Sequence, residues 1–241
     1  METGKTGKYF KYAIGEIILV VIGILIALQI NNWNENRKLN EQRKELISNL
    51  ITDFTDTNAS LDSIIKFKEE RLKIMNDFMR IINNESQIIA VDSLRKMAVV
   101  FFSQINFKPT ISSYNESVSN GDFKLLKSKQ LSQHIDTFFE EIDTYTHIYN
   151  LGGYSYFNGA TWELRKNLGS LNSLVSGSRS FEAMPYKKLT YDEYISKIKE
   201  PLTTAVLENG HTIKMNLLIG LKEMKKNCDS IIATLNALKK N

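Results

Sequence analysis

The chain begins with an unbroken apolar run, and most of its remainder repeats apolar positions every three or four residues. The run reads IILVVIGILIALQI, residues 17–30, and no charged residue occurs between positions 17 and 34. A membrane-spanning helix needs about 20 mainly apolar residues, with a range of about 17–25. Trp33 and several N-terminal aromatic residues flank the run, as in interfacial aromatic belts. The pattern predicts a transmembrane helix at residues 13–34, after a short basic tail at residues 1–12.

A cleaved signal peptide and a buried core helix are the two alternatives to an anchor. Secretory signals end in two small residues separated by one position. Ala27 is followed by LQINNW, so the run ends without such a site. A core helix would carry a polar stripe, which residues 17–28 lack. The sequence therefore favours an uncleaved anchor.

One side of the predicted anchor is small or polar. Steps of three and four residues place Glu16, Val20, Gly23 and Ala27 on a single helix face, which we call the anchor seam. Gly23 and Ala27 form a small-xxx-small pair, a spacing that lets a second backbone approach closely in lipid. The seam predicts a homo-oligomer or a contact with another membrane protein. For Glu16, an interfacial carboxylate and a proton relay are both open interpretations.

The soluble region, residues 35–241, reads as an antiparallel helical bundle. A heptad-like stripe over residues 47–82 predicts a long first helix, in which Asn58 and Lys68 are polar interruptions that fix register or oligomer state. A second stripe predicts a last helix over residues 211–238, with Cys228 as a buried member of its apolar side. The fold class is all-α, with long first and last helices.

Shorter elements follow from local signals. Asp92 is the predicted N-cap of one helix, and Ser112 or Ser113 caps a short helix that ends at Gly121. Another helix begins near Ser128. Residues 169–190 are rich in glycine and serine and predict a long loop.

Residues 8–37, KYFKYAIGEIILVVIGILIALQINNWNENR, closely resemble the N-terminal signature of an uncharacterised Bacteroidota membrane-protein family, a domain of unknown function. Residues 112–139, SSYNESVSNGDFKLLKSKQLSQHIDTFF, resemble a second segment of that family, although Asn120 interrupts its Ser-Gly-Asp pattern. The resemblance implies a bacterial membrane protein with a helical C-terminal region. It implies no activity.

Composition excludes several classes of function. The net charge of +4 is spread along the chain, so no nucleic-acid footprint is predicted. A single cysteine excludes an internal disulfide or a cysteine zinc cluster. Asp143 and His147 form an isolated i,i+4 pair, which is weak support for a metal site. Without a recognisable catalytic motif, we predict no enzyme and no cofactor.

One segment has the composition of a binding surface. Aromatic residues with polar tips suit ligand pockets and partner contacts, although core packing explains them as well. The candidate surface consists of Tyr145, His147, Tyr149, Tyr154, Tyr156 and Trp162. The ligand is unknown.

The sequence predicts a single-pass protein of the bacterial inner membrane that acts by binding or scaffolding. A short basic tail is readily retained in the cytoplasm, whereas a large domain is translocated largely regardless of charge. The C-terminal domain is therefore placed in the periplasm. A cytoplasmic domain, an ion-coupled component that uses Glu16, and an unrecognised enzyme are the alternatives.

Overall fold

The computed structural model describes residues 6–84, 88–102, 105–158 and 189–240, and these ranges contain helices and no strand. The all-α prediction is confirmed. The elements are α1 (Thr6–Asn83), α2 (Val91–Phe102), α3 (Ser112–Asn120), a 3-10 helix (Asp122–Leu126), α4 (Lys129–Asn158), α5 (Tyr191–Ile198) and α6 (Pro201–Lys240).

Helix α1 is one uninterrupted helix of 78 residues. At about 1.5 Å per residue it is about 117 Å long. No glycine or proline occurs between Gly23 and its end, so nothing in the sequence breaks the hydrogen-bond ladder. The helix begins inside the predicted tail and ends at Asn83, as the Asn83-Asn84 pair indicates. The apolar segment, residues 14–34, is therefore continuous with the first helix of the bundle.

Helix α6 runs antiparallel to the C-terminal half of α1. His211 is hydrogen-bonded to Asn76 at 2.8 Å, and Asn58 donates to the Asp229 carboxylate at 2.7 Å. Arg43 donates to the carbonyl of Leu238 at 3.3 Å. Across these three contacts, the residue number decreases along α1 as it increases along α6. The last helix therefore returns toward the apolar segment. The predicted antiparallel bundle is confirmed.

Helix α4 runs parallel to α1 and packs on α6. The rings of Phe54 and Phe138 meet edge to face with centroids 5.6 Å apart, and the Lys68 ammonium lies 5.9 Å from the Tyr145 ring. The inner residues of α4 pack with buried residues of α1 and with Leu221 and Ile231 of α6. These three helices form one buried core. Cys228 belongs to this core, as predicted, and its thiol donates to the Phe54 carbonyl at 3.1 Å.

A second core lies at the end of the bundle far from the apolar segment. Phe78 and Phe101 pack edge to face at 5.5 Å, where α1 meets α2. Tyr194 of α5 and Leu207 of α6 are fully buried in the same cluster. The bundle therefore has two parts along its length. Helices α1, α4 and α6 form the part nearer the apolar segment, and the short helices α2 and α5 pack on α1 and α6 in the other part.

The predicted start of the last helix is wrong. α6 begins at Pro201, ten residues before His211. Proline suits the first helical position because its missing N–H has no helical partner there. Gly210 interrupts the helical pattern for a packing reason, because a Cβ at this position would lie 3.2 Å from the Phe101 carbonyl oxygen. The glycine lets α2 approach α6 closely.

The helix starts were predicted with mixed success. α2 begins at Val91, so Asp92 lies inside its first turn and is not the N-cap. α3 begins at Ser112, yet no side chain of its own caps it. The buried carboxylate of Asp53 on α1 accepts a 2.7 Å hydrogen bond from the Ser113 amide instead. The predicted end is confirmed, with Gly121 in a left-handed conformation at φ 85°.

Candidate functional site

More than half of the exposed large hydrophobic side chains in the described part of the chain lie on the apolar segment of α1. One helix among the described residues is long and apolar enough to cross a membrane, and none of its most apolar stretch is buried in the protein. Residues such as Leu19, Ile22 and Leu25 are about half exposed or more. No other part of the described chain covers them.

All four residues of the anchor seam lie on this exposed surface. Glu16, Val20 and Ala27 are exposed, and a Cβ added at Gly23 would meet nothing within 4 Å. At about 100° per residue, Gly23 and the buried Leu50 lie on opposite sides of α1. The seam therefore faces away from the helices that pack on the upper part of α1, and a second helix can approach it without meeting the bundle.

The structure does not bring the predicted aromatic surface together. Tyr145 is buried and stacks on the half-buried Tyr149, with ring centroids 6.4 Å apart. His147 and Tyr154 lie on the opposite, exposed side of α4. The side chains of Tyr156 and Trp162 lie outside the described residues. Two of the six residues thus face the bundle interior, and two face solvent.

Tyr145 has a structural position in the bundle. Its hydroxyl donates to the Ile105 carbonyl at 3.2 Å, and its ring meets Phe107 at a right angle. Burial, together with the neighbouring Tyr149, raises the pKa of Tyr145 to about 12. The phenol is therefore a neutral hydrogen-bond donor that holds the segment before α3 against α4.

The structure reveals a buried basic cluster that we did not predict as a site. Lys68 and Arg71 of α1 and Lys214 of α6 line a cavity of about 20 Å³ together with Phe67, Leu72 and Ile105. Lys68 is 8% exposed, and its ammonium donates to the Ile105 carbonyl at 3.3 Å. The cavity has room for about one water molecule. It is too small for an organic ligand.

Burial lowers the pKa of both lysines in this cluster. It lowers the pKa of Lys68 to about 8, with a further contribution from Arg71. Burial lowers the pKa of Lys214 to about 7, and the charges of Lys68 and Arg71 add to the effect. The available signal was Lys68 itself, a lysine on a stripe that only it and Asn58 interrupt with polar side chains. Its partners could not be read from the sequence, because they lie on α6 and before α3.

The described residues contain no group of three or more His, Cys, Asp or Glu side chains that could hold a metal ion. Asp143 and His147 are both exposed on α4, and no third potential ligand joins them among the described residues. Burial raises the pKa of the Cys228 thiol to about 12, which keeps it protonated.

Fold and surface together define a helical-bundle protein whose first helix extends into an uncovered apolar segment. The chain belongs to a family of unknown function, DUF6090, whose model matches residues 16–169, more than half of the chain. The match begins at Glu16, inside the apolar segment, and includes α2, α3 and α4. No curated protein and no solved structure matches the chain.

Proposed function

We propose that this protein is a membrane-anchored binding or scaffold protein with a single transmembrane helix and no catalytic activity. One observation carries the proposal: the exposed apolar segment and the first helix of the bundle are the same helix, α1. A continuous helix transmits position and rotation from the membrane to the bundle. A partner that binds the anchor therefore also orients the bundle.

We further propose that the protein lies in a bacterial inner membrane, with its bundle in the periplasm. Residues 1–12, before the anchor, carry three lysines, whereas the bundle is long enough to be translocated largely regardless of its charge. A reporter fused after Asn241 that is active only in the periplasm tests this orientation. Resistance of the bundle to protease in intact spheroplasts would contradict it.

The anchor seam is the proposed contact with a second copy or with another membrane protein. Gly23 and Ala27 supply a small-xxx-small spacing, and the seam faces away from the bundle. Glu16 lies on the same face, where a second helix or water can satisfy its carboxylate. Ionisable groups in such positions rarely face lipid.

Crosslinking in native membranes tests the seam. We expect Ala27→Cys to form an intermolecular disulfide more readily than Leu25→Cys, which lies about 200° away around the helix. Adding Gly23→Leu should weaken the Ala27→Cys crosslink while insertion persists, because leucine adds bulk at the closest approach. Equal crosslinking at both positions, or no effect of Gly23→Leu, would refute the contact.

Glu16→Gln separates binding from proton transfer. A binding anchor retains the crosslink and the copurified partner with glutamine, because shape and hydrogen-bonding capacity are preserved. An ion-coupled component would lose proton-dependent activity while the crosslink persists.

A further inference from the structure

We propose that the membrane-facing end of the bundle binds the headgroups of anionic lipids through a basic rim. This rim consists of Arg43, Lys44, Lys127, Lys129, Lys239 and Lys240, which come from three separate parts of the chain. The inference rests on the proposed function, because it requires α1 to be inserted in a bilayer. Beyond the proposed function, it names the chemical class that the bundle contacts at the membrane, namely anionic lipid headgroups.

The end of α6 lies at the membrane-facing end of the bundle. Arg43 donates to the Leu238 carbonyl, so the last turn of α6 lies level with Arg43 of α1. Since α6 descends toward the apolar segment, Lys239 and Lys240 lie still closer to it. Both lysines are exposed. Folding thus places two further cations beside those that follow the anchor in sequence.

The start of α4 lies at the same end of the bundle. Phe138 is level with Phe54, and α4 runs parallel to α1. Lys129 precedes Phe138 by nine residues, or about 14 Å, which places it near the level of Lys44. Lys127 lies just before α4 with φ 46° and is exposed, like Lys129.

The rim lies within reach of lipid phosphates. Arg43 is nine residues beyond Asn34, so it stands about 14 Å above the end of the uncharged segment, and Lys240 is lower. The headgroup region adds about 5–8 Å to each side of the hydrocarbon core. A lysine stem can bridge the remaining distance by extending toward the surface. Arg37, stacked 5.8 Å from the Trp33 ring, already lies at the headgroup level.

The charge at this end is strongly one-sided. Residues 35–45, 122–129 and 239–240 carry nine lysine and arginine residues against four acids, Glu35, Glu41, Glu45 and Asp122. A helix dipole accounts for Lys239 and Lys240, because cations stabilise a helix C-terminus. It does not account for Lys129, because the first turn of α4 contains no acidic residue and a cation is unfavourable there. An anionic surface below the rim explains both positions.

Lipid selectivity measured on the full chain tests the proposal. We would reconstitute it, with Trp162→Phe, in nanodiscs that contain phosphatidylglycerol and phosphatidylcholine. Quenching of Trp33, which is 66% exposed, is then compared for brominated forms of each lipid. We expect the anionic lipid to associate about fivefold or more strongly, because each cation near such a surface contributes about a fivefold preference and salt screens part of it. The preference should disappear at about 0.5 M salt.

Matched variants locate the effect. The rim variant replaces Lys127, Lys129, Lys239 and Lys240 by glutamine, and its preference should be clearly weaker than that of the native chain, although Arg37, Lys38, Arg43 and Lys44 still contribute. The control variant replaces four exposed lysines farther from the apolar segment, namely Lys66, Lys73, Lys96 and Lys226, and should retain it. Circular dichroism establishes that both variants are folded, and the salt dependence of the native chain is independent of any variant.

The outcomes separate the two proposals. A native chain without anionic preference, or a rim variant whose preference equals that of the control variant, overturns the basic rim. A chain that alkaline carbonate releases from vesicles of both compositions overturns the membrane anchor itself. A chain that resists carbonate but shows no lipid preference leaves the anchor supported and refutes the rim alone.

Discussion

The two halves of α1 are the same helix but carry opposite patterns. In residues 14–34 most side chains are apolar, and none of the most apolar stretch is buried. In residues 46–83 one face is buried, with Ile47, Leu50 and Leu61 fully covered by the bundle. The comparison separates helix formation from burial. Both halves are helical, but only the second half has neighbours that exclude water.

The halves also treat charge differently. No charged residue occurs between positions 17 and 34. The bundle half buries Asp53 and Lys68, and each has a polar partner from a distant part of the chain. A buried charge is tolerated where such partners reduce its desolvation cost. The bundle half therefore depends on tertiary contacts that the apolar segment lacks in the isolated protein.

Truncating one leucine in each region should produce the largest contrast. Leu221 is fully buried between α1 and α4, and we expect Leu221→Ala to lower the free energy of unfolding by about 2–5 kcal/mol. Leu25→Ala should leave bundle unfolding unchanged, because Leu25 contacts no part of the bundle. Denaturant unfolding of the full chain in detergent measures both. Equal losses of unfolding free energy in the two variants would contradict the proposed difference between the bundle and the apolar segment.

Removing the carboxylate that caps α3 should have the next largest effect. Asp53→Ala leaves the Ser113 amide without its acceptor, so unfolding should become easier by about 1–3 kcal/mol. Asp56→Ala, an exposed acid on the same helix, should change stability by less than about 0.5 kcal/mol. If the two variants cannot be distinguished by denaturant unfolding, the cap contributes nothing.

The buried lysines predict a stability that rises with pH. Their pKa values, about 8 for Lys68 and about 7 for Lys214, lie below the ordinary lysine value of 10.5. Above pH 7 the unfolded chain therefore binds more protons than the folded chain, so the unfolding free energy increases with pH. The expected gain is about 1 kcal/mol between pH 7 and pH 8.

Two variants test this pH dependence. Lys214→Met should flatten the rise, because it removes the titrating group and keeps the apolar stem. Lys222→Met, at a half-exposed position on the same helix, should leave the slope intact. The measurement ends at pH 8, before tyrosine and cysteine titration contributes with the opposite sign. An unchanged slope in Lys214→Met would contradict the assignment.

Glycine substitutions should give the smallest effects. Alanine stabilises a helix by about 0.5–1 kcal/mol relative to glycine, and Gly220→Ala should show this gain because nothing lies within 4 Å of its Cβ. Gly210→Ala should lose the gain or destabilise, because its Cβ would press against the Phe101 carbonyl. Gly23→Ala should leave bundle unfolding unchanged. A full gain at Gly210 would mean that α2 can move away from α6 at no cost.

Much of the bundle could be predicted from local patterns. The stripe on α6 identified Leu221, Cys228 and Ile231 as buried, because a period near 3.6 defines one face of a helix. The end of α3 at Gly121 followed from the glycine that a left-handed residue requires. The predicted start of α6 was ten residues too late, and only the contact with Phe101 explains why Gly210 lies inside the helix.

The candidate site was less predictable. The anchor seam depends on spacing within one helix, so its residues share a face in the structure as the sequence indicates. The aromatic segment depends on which side of α4 meets the bundle, and this separates Tyr145 from Tyr154. The basic cluster around Lys68 was not predicted as a site, because Lys214 is 146 positions away in the sequence.

The sequence by itself determined the helices, their apolar faces and the uncharged segment, because these depend on side chains a few positions apart on a regular backbone. Tertiary structure alone decided that Asp53 caps α3, that Tyr145 is buried, and that Lys239 comes to lie near Arg43. Each of these contacts joins residues more than thirty positions apart. Helical periodicity sets the direction of a side chain on its own helix, whereas the packing of several helices sets what that side chain meets.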